Sequence, residues 1–352
     1  MKRPANRRSG FALAAVLWLL AGLTVIVAAI SDVAQTSAER VAQLRERVDF
    51  MQSAYSTRGH VLYWLSGTGT GVNSFNDGVQ GVRADGTQYT ATAGSTVGVQ
   101  DIGGLIALNA PNRPVLAKLL ADCGVDRVDI DSLLDALEDY IDPDDFPRVN
   151  GAENELYAAK SIPPPRNAPL LSVQELWSVY GWAAQRPTLT SHGCTESLTA
   201  ESSIGRMLNL ATATRQALQA GGVPDQLLDT AISRRSDPAA LLSSLGILSD
   251  SLGRENPFGA NATAPVQRTV RVTHRQVDGQ WQLDYTLRLT PELEGRPWQI
   301  VEPHLHSTMP AVAATPSRSA STPAAEPAAP ALPWPAKPPA AQSNDVSTLL
   351  SF

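Results

Sequence analysis

Carboxylates crowd one short, proline-interrupted stretch of the chain, "YIDPDDFPRVNGAENELY", which runs from Tyr140 to Tyr157. Like charges this close repel one another unless a cation neutralises them or water solvates them. Calcium binds six to eight oxygen atoms of carboxylates, amides and carbonyls. The stretch therefore predicts a Ca²⁺ site, with these candidate ligands: Asp142, Asp144, Asp145, Glu153, Asn154 and Glu155. The alternative is a solvated acidic turn, because carboxylates usually stay exposed.

The spacing of this acidic stretch does not follow the EF-hand template. Counted from Asp142, the sixth position should be glycine and is Pro147, whereas the twelfth is the expected glutamate, Glu153. Pro143, Pro147 and Gly151 are turn residues that can fold the carboxylates back on one another. The prediction therefore rests on the oxygen ligands and the turn, and not on the EF-hand motif.

The remaining sequence offers no catalytic constellation. Ser191, His192 and Cys194 lie close together, but no nucleophile-elbow glycines flank the serine and no further ligand stands at zinc spacing. His304 and His306 could coordinate a metal weakly, with solvated histidines as the alternative. No Asp-Thr/Ser-Gly pair of an aspartic protease is present. We therefore expect a protein that is not an enzyme and whose one cofactor is Ca²⁺.

The N-terminal residues predict a membrane helix. "MKRPANRRSG" is basic, and the run from Phe11 to Ile30 carries no charge. About 20 apolar residues span a bilayer as a helix, and the basic flank stays cytoplasmic. Helical spacing of apolar residues continues beyond the span, through Val41, Leu44, Val48, Met51, Tyr55, Leu62 and Leu65. The alternatives are a cleaved secretory signal, whose apolar core is about 7–15 residues, and an uncleaved anchor.

Each of these interpretations exports the bulk of the chain, and export bears on the two cysteines. Cys123 and Cys194 allow at most one disulfide. Disulfides persist in oxidising compartments outside the cytoplasm. We predict that the two cysteines pair, the alternative being two unpaired thiols.

The leader ending in Gly10, followed by Phe11, the apolar run and a continuing amphipathic helix, resembles the type IV pilin and pseudopilin family. Most members carry Glu at the fifth position after the processing site, where this chain has Ala15. That absence resembles one subfamily, the minor pseudopilin K of the type II secretion system. Three more segments resemble it: "ALEDYIDPDDFPRVNGAENELY", "APLLSVQELWSVYGW" and "LNLATATRQALQAGGVPDQLLDTAISRR". Tyr140, Asn154 and Ala211 depart from its usual Trp, Asp and Asn.

The resemblance implies a structural function. A prepilin peptidase would cut between Gly10 and Phe11, and the helix would hold the chain in the lipid of the bacterial inner membrane, with its body in the periplasm. The chain would cap the periplasmic pseudopilus and help start its assembly. Its partners would be the other minor pseudopilins, I and J, and the inner-membrane assembly platform. The subfamily is known for calcium in its helical domain, which favours Ca²⁺ in the acidic stretch.

Local patterns predict the elements after the first helix. "GVRADGTQYTATA" predicts a hairpin that turns at Asp85-Gly86, and "VQRTVRVTHRQVDGQWQLDYTLRLTPEL" predicts a second that turns at Asp278-Gly279. "SVQELWSVYG" predicts a helix capped by Ser172 and stopped by Gly181. Two helix pairs, each hinged at a Gly-Val step, form a weak repeat that resembles helix-hairpin-helix units. The first copy is acidic and the net charge is −6, so we expect no nucleic-acid partner.

These observations predict an α+β fold: a pilin-like long N-terminal helix and an antiparallel sheet, interrupted by a large inserted all-α domain with the helix-hairpin-helix-like repeat. The expected segments are a leader (1–10), the transmembrane and amphipathic helix (11–65), the first part of the pseudopilin body (66–108), the inserted domain (109–255), the β-hairpin part of the body (256–305) and a disordered Pro/Ala-rich tail (306–352). The alternative function is that of a single-pass, periplasm-facing binding or enzymatic protein with an uncleaved anchor.

Overall fold

One helix dominates the N-terminal part of the protein. A computed structural model describes residues 9–91, 94–201, 208–237, 240, 243, 264–277, 281–290, 297–307 and 329–333. Helix α1 comprises Ser9–Gly67 and, as predicted, continues without a break after the apolar run. At about 1.5 Å per residue it is about 88 Å long. It contains a window of mean hydropathy 2.6 that is apolar enough to cross a membrane.

The chain divides into two compact units, Met1–Tyr55 and Ser56–Phe352. In the first, large apolar side chains lie exposed along α1; Leu17 is 59% and Trp18 is 80% exposed. Exposed apolar side chains in such a row are typical of a helix that lies in lipid. The second unit contains the sheet and the shorter helices.

A five-stranded antiparallel sheet, in the order β10-β9-β8-β5-β4, forms the body of the second unit. Its strands are β4 (Asp85–Thr90), β5 (Ser95–Asp101), β8 (Thr269–Gln276), β9 (Trp281–Leu289) and β10 (Trp298–Ser307). Strands β8 and β9 pair as the sequence predicts, with Val272 opposite Tyr285, while their predicted turn at Asp278-Gly279 lies outside the described residues. Strand β10 was not predicted, and it extends beyond the expected boundary at residue 305.

The predicted hairpin at Asp85-Gly86 is wrong. Strand β3 (Gly81–Arg83) pairs with β2 (Ser74–Asn76) in a small sheet that also contains β1 (Gly69–Thr70). Strand β4 pairs with β5, and the register shifts between Asp85 and Gln88. Gly86 has a φ of +81° inside this irregularity. The left-handed conformation that Asp-Gly favours therefore forms a bulge and not a turn.

Six α-helices whose bounds lie among the described residues interrupt the sheet between β5 and β8. They are α2 (Arg113–Asp122), α3 (Arg127–Ile141), α4 (Asn154–Ala159), α5 (Trp182–Ser191), α6 (Arg215–Ala220) and α7 (Asp225–Ser233). A parallel pair, β6 (Ile106–Ala107) with β7 (Leu198–Thr199), lies in the same segment. One apolar core unites the helices, with Leu116, Leu137, Tyr157 and Trp182 fully buried in it. The predicted α+β fold with an inserted helical part is confirmed.

The helix predicted over "SVQELWSVYG" differs in type. It is a 3-10 helix, Val173–Ser178, and the Ser172 side chain accepts a hydrogen bond from Glu175 N as predicted. The Glu175 carboxylate accepts hydrogen bonds from Arg166, from Leu171 N and from the Tyr140 hydroxyl. The Glu175 side chain therefore bonds to groups outside this element. Gly181, at φ +82°, precedes α5 and does not end a helix.

The two Gly-Val steps have the same geometry. Gly124 and Gly222 have φ values of +86° and +89°. Val125 N donates to Leu120 O, and Val223 N donates to Leu218 O, both at 3.0 Å. These are helix C-caps of the Schellman type, in which glycine adopts the left-handed conformation. The predicted repeat of two helix pairs is thus a structural repeat.

A buried carboxylate joins the sheet to the helical segment. Asp101 ends β5 and is fully buried. Its oxygens accept hydrogen bonds from Gly103 N, Gln267 N, Asn209 Nδ2 (3.0 Å) and Thr212 Oγ1 (2.9 Å). Nearby, the buried Arg235 guanidinium donates to Leu210 O and Ala213 O. Four donors on one buried carboxylate fix the junction, and the sequence did not single it out.

Candidate metal site

Helices α3 and α4 frame the acidic stretch. Asp142 is the C-cap residue directly after α3, and Glu153 is the N-cap residue directly before α4. The chain between them therefore forms a loop closed at both ends by a carboxylate. Positions one, three and twelve of this loop are Asp142, Asp144 and Glu153, which are acidic as in an EF-hand.

Asp139 folds the loop against α3. It is fully buried, and its carboxylate accepts hydrogen bonds from Ala152 N at 2.8 Å, Arg148 N at 3.2 Å and Arg148 Nη1 at 2.6 Å. A Cβ atom at Gly151 would overlap the Asp139 carboxylate, so only glycine fits there. Asp135 adds a second tie, because it accepts from Asn150 N at 3.1 Å. The loop conformation thus depends on carboxylates of α3 that are not candidate ligands.

This folding brings three carboxylates together. One oxygen atom each from Asp142, Asp144 and Glu153 lies within 4.8 Å of the other two. Two ligands of one Ca²⁺ ion, each about 2.4 Å from it, are at most about 4.8 Å apart. The separation of these oxygens is therefore compatible with a shared cation.

Glu153 has the most demanding environment of the three. It is 4% exposed, and neither carboxylate oxygen has a hydrogen-bond partner among the described residues. Burial raises its pKa, and the charges of Asp139, Asp142, Asp145 and Asp144 raise it further, to about 7. One oxygen of Asp142 is also buried without a partner in the described part of the chain. Buried carboxylate oxygens without donors are costly, and a bound cation removes that cost.

Arg148 neutralises only part of this charge. Its guanidinium contacts Asp139 and Asp142 at 2.6 Å and Glu138 at 3.0 Å. Burial alone would lower the pKa of Arg148, but hydrogen bonds and charges from Asp142 and Asp139 raise it above its ordinary value. No ion pair among the described residues includes Asp144 or Glu153, so both keep uncompensated charge at neutral pH when ionised.

Asp145 and Asn154 lie beside the three-carboxylate cluster and contact each other. Asp145 Oδ1 accepts hydrogen bonds from Asn154 Nδ2 at 2.7 Å and from Asn167 Nδ2 at 2.9 Å. Asn167 also donates to Asp144 O, and its own Oδ1 is buried with no partner among the described residues. Asn167 is a further oxygen donor that the sequence did not reveal, because it lies outside the acidic stretch.

Glu155 stands apart from the other predicted ligands. It is exposed in the first turn of α4 and is not among the three clustered carboxylates. Of the six predicted ligands, the structure groups Asp142, Asp144 and Glu153, places Asp145 and Asn154 next to them, and leaves Glu155 outside.

The two cysteines lie in the helical segment. Cys123 is the C-cap residue after α2, Cys194 begins a 3-10 helix, and the structure joins them in a disulfide with their Cα atoms 6.4 Å apart. Both are 2% exposed. At the other end of the chain, Gly10 and Phe11 lie in the first turn of α1.

The oxygen donors fit a hard cation. Carboxylate and amide oxygens suit Ca²⁺, whereas zinc sites use histidine and cysteine, and neither residue type belongs to this cluster. Asp142, Asp144 and Glu153 would hold the ion, and the orphaned Glu153 oxygens are the observation that supports this fit.

The long helix, the antiparallel sheet and the inserted helical segment define an α+β protein. Residues 98–188, which contain the acidic loop, match the family model described as type II secretion system (T2SS), protein K. This segment is therefore similar to the type II secretion system protein K family, in agreement with the resemblance drawn from the sequence.

Two further comparisons found similar proteins. A stretch of 63 residues is 40% identical to a provisionally named type II secretion system protein K of Escherichia coli (strain K12), and it spans 17% of this chain and 19% of that protein. A solved structure, the GspK-GspI-GspJ complex of the enterotoxigenic Escherichia coli type 2 secretion system, aligns with a TM-score of 0.47 at 14% identity, over 75% of this chain and 99% of the matched chain.

Proposed function

We propose that this protein is the minor pseudopilin K of a type II secretion system, which caps the tip of the periplasmic pseudopilus and helps start its assembly. The observation that carries the proposal is the combination of a 59-residue helix with a segment that matches the protein K family. The exposed apolar side chains of α1 would lie in the inner membrane and between neighbouring subunits of the filament.

The helical segment and Ala15 support a position at the tip. The helices α2 to α7, inserted between two adjacent strands, give this chain a bulk that would obstruct subunits packed above it. Ala15 stands where most pilin-like proteins have a glutamate, which compensates the terminal amine of a neighbour. A carboxylate in a bilayer is costly without a partner, and a subunit at the tip has no neighbour above it to serve. By the same reasoning, the partners are the minor pseudopilins I and J and the assembly platform of the inner membrane.

The mature N-terminus tests this function. The chain should be expressed in a bacterium with its prepilin peptidase and the N-terminus read by mass spectrometry. We expect mature chains that begin at Phe11, with N-methylation. Gly10→Val should abolish the cut, and Ser9→Ala should leave it intact. An intact Met1, or a start after about residue 30, would instead indicate an anchored periplasmic protein of a different class.

Co-purification tests the partners separately. The full chain, extracted in detergent, should retain minor pseudopilins I and J when the three are expressed together. A variant with polar residues in place of Leu17 and Leu20 tests the membrane segment, because it should lose inner-membrane association. Retention of neither partner by a correctly processed chain would contradict the tip assignment.

We also propose that the acidic loop binds Ca²⁺ and that the ion stabilises the helical segment. The support is the buried, partnerless carboxylate of Glu153 beside Asp142 and Asp144. When bound, the ion would supply positive charge that offsets the repulsion between these carboxylates and fixes the ends of α3 and α4. The chain's own contribution is to hold the ligands in place, through Asp139, Arg148 and Gly151.

A further inference from the structure

The C-terminal Pro/Ala-rich tail returns to the sheet at one short segment. Residues 329–333, "APALP", lie against β4, and Ala331 forms a parallel bridge with Thr90. Thr90 N donates to Pro330 O at 2.7 Å, and Leu332 N donates to Thr90 O at 3.0 Å. Thr90 Oγ1 also donates to Ala329 O at 2.8 Å. The prediction of a disordered tail is therefore wrong for this segment.

Strand β4 is the outermost strand of the five-stranded sheet on that side. Thr90 pairs with Thr96 of β5 on its inner side, and its outer N–H and C=O meet the tail. Edge strands present unpaired backbone groups to any chain that can add a strand. The tail segment satisfies these groups at Thr90 and thereby covers part of the edge.

The sequence of the segment suits this position. Pro330 and Pro333 lack an N–H, and each contributes its carbonyl as an acceptor, while Leu332 supplies the N–H that the bridge needs. Proline also restricts φ to extended values, so less conformational entropy is lost when the segment binds. The Leu332 side chain is 8% exposed, which adds apolar burial to the backbone hydrogen bonds.

Trp64, near the end of α1, completes the site. Its side chain is 1% exposed, and its indole Nε1 donates to Pro333 O at 3.1 Å. An indole N–H usually has a partner when it is buried, and leaving it without one is costly. The carbonyl of Pro333 is thus a specific acceptor for a donor that the fold presents at this edge.

The chain is long enough to make this contact within one molecule. Strand β10 ends at Ser307 on the opposite edge of the sheet. Four strand spacings of about 4.8 Å separate the two edges by about 19 Å. Residues 308–328 can span at most about 70 Å. The contour length of the chain between these two points therefore exceeds the separation of the two sheet edges.

We propose that the outer edge of β4 at Thr90, together with Trp64 of α1, is a binding site for an extended Ala-Pro-Ala-Leu-Pro segment. Residues 329–333 of the same chain occupy this site. The tail then acts as a strap that closes this sheet edge to strand pairing by other chains. The recognition chemistry is backbone pairing at Thr90, a carbonyl acceptor for Trp64 and a buried leucine.

Disulfide trapping in the full chain tests the occupant. Thr90→Cys combined with Ala331→Cys should form an intrachain disulfide under mild oxidation, detected by mass spectrometry after trypsin digestion. The matched control combines Thr90→Cys with Ala324→Cys. We expect about ten times more intrachain linkage in the first variant than in the control. Equal linkage in both would overturn the proposal. Disulfide-linked dimers in place of the intrachain product would show that a second copy is the occupant, which also overturns it.

Hydrogen exchange tests the contact without cysteines. In the full chain, the Leu332 amide should exchange more slowly than in a free peptide of residues 327–335. Thr90→Pro removes two donors, the backbone N–H and the hydroxyl, and Leu332→Asp places a charge against apolar surface; each should speed exchange in the segment about 10-fold. Thr90→Ser keeps the N–H and the hydroxyl and should change nothing. Exchange in the unmodified chain at the rate of the free peptide would refute the strap.

Discussion

Two buried carboxylates, Asp101 and Glu153, have opposite environments in this protein. Asp101 is fully buried and Glu153 is 4% exposed. Four donors surround Asp101: two backbone N–H groups and the side chains of Asn209 and Thr212. The Glu153 carboxylate accepts no hydrogen bond from the described residues, and the charged groups that act on it are other acids. The protein itself satisfies the first carboxylate and leaves the second unsatisfied.

The pKa shifts show the same difference in physical terms. Burial raises the pKa of Asp101, and hydrogen bonds from Thr212, Gly103, Gln267 and Asn209 oppose that rise. Burial also raises the pKa of Glu153, but the neighbouring carboxylates raise it further. A buried charge is retained when it is paired or hydrogen-bonded. Asp101 is therefore a structural residue. The buried charge of Glu153, by contrast, would be neutralised by a proton or compensated by a cation.

The largest expected effect comes from removal of the disulfide. It tests whether the response of the acidic loop to Ca²⁺ depends on the overall stability of the protein. Replacement of the disulfide by Cys123→Ala with Cys194→Ala should lower the free energy of unfolding by about 4 kcal/mol, because the bridge closes a loop with a sequence separation of 71 residues. Urea denaturation of the full chain in detergent measures this change.

The stabilisation by added Ca²⁺ should be the same in this double variant as in the unmodified chain. A variant that loses its response to Ca²⁺ would show that the loop depends on the covalent bridge. Titration of free thiols in the unfolded protein, with and without reductant, provides the control for the bridge itself; equal counts would mean that the two cysteines are not paired.

The second prediction concerns the satisfied carboxylate. Asp101→Asn should lower the free energy of unfolding by about 3 kcal/mol, because the new amide NH₂ would face donors from Asn209 and Thr212. Asp126→Asn is the matched control, since Asp126 is exposed and makes no capping hydrogen bond. It should change stability by less than about 0.5 kcal/mol. Restoration of the Asp101→Asn variant by Ca²⁺ would contradict a purely structural role.

The third prediction concerns the unsatisfied carboxylate. At a Ca²⁺ concentration 100 times the Kd, the unmodified chain should gain about 2.7 kcal/mol, and a chelator should remove this gain. Glu153→Gln should abolish the gain and, without Ca²⁺, should leave the protein as stable as before or more stable, because a buried repulsive charge is lost. Glu155→Gln should preserve the response. Thermal unfolding that ignores both Ca²⁺ and chelator would refute the site.

The smallest expected effect, expressed as the change in the free energy of unfolding per pH unit, follows from the pKa of Glu153. Its folded-state pKa of about 7 lies above the ordinary 4.5, so the folded protein binds this proton more tightly than the unfolded chain does. Without Ca²⁺, stability should therefore fall as pH rises from about 4.5 to about 7, by at most about 1.4 kcal/mol per unit.

Comparison with Glu153→Gln isolates this contribution, because the variant lacks the titrating group and should show a flatter pH profile. Ca²⁺ should oppose the fall, since the ion binds the deprotonated carboxylate. Identical pH profiles for the two proteins without Ca²⁺ would mean that Glu153 is not perturbed in solution.

Local sequence patterns were sufficient to predict the structure wherever a few neighbouring residues decide the conformation. The apolar period predicted the continuous α1, and alternation predicted the pairing of β8 with β9. Asp85-Gly86 shows the limit, because the same left-handed glycine serves a turn or a bulge, and the pairing of distant strands selects between them. Likewise, composition predicted a disordered tail, but five of its residues bind an edge that no local pattern describes.

By itself, the sequence determined the long apolar helix, the family resemblance and the acidic composition of the candidate site, because apolar periodicity and residue type are properties of short segments. Tertiary structure alone decided which acids meet. Asp139, Arg148 and Gly151 fold the loop so that Asp142, Asp144 and Glu153 converge and Glu155 does not. It also decided that Asp101 has donors and Glu153 has none, because burial and hydrogen bonding arise from contacts between residues far apart in the chain.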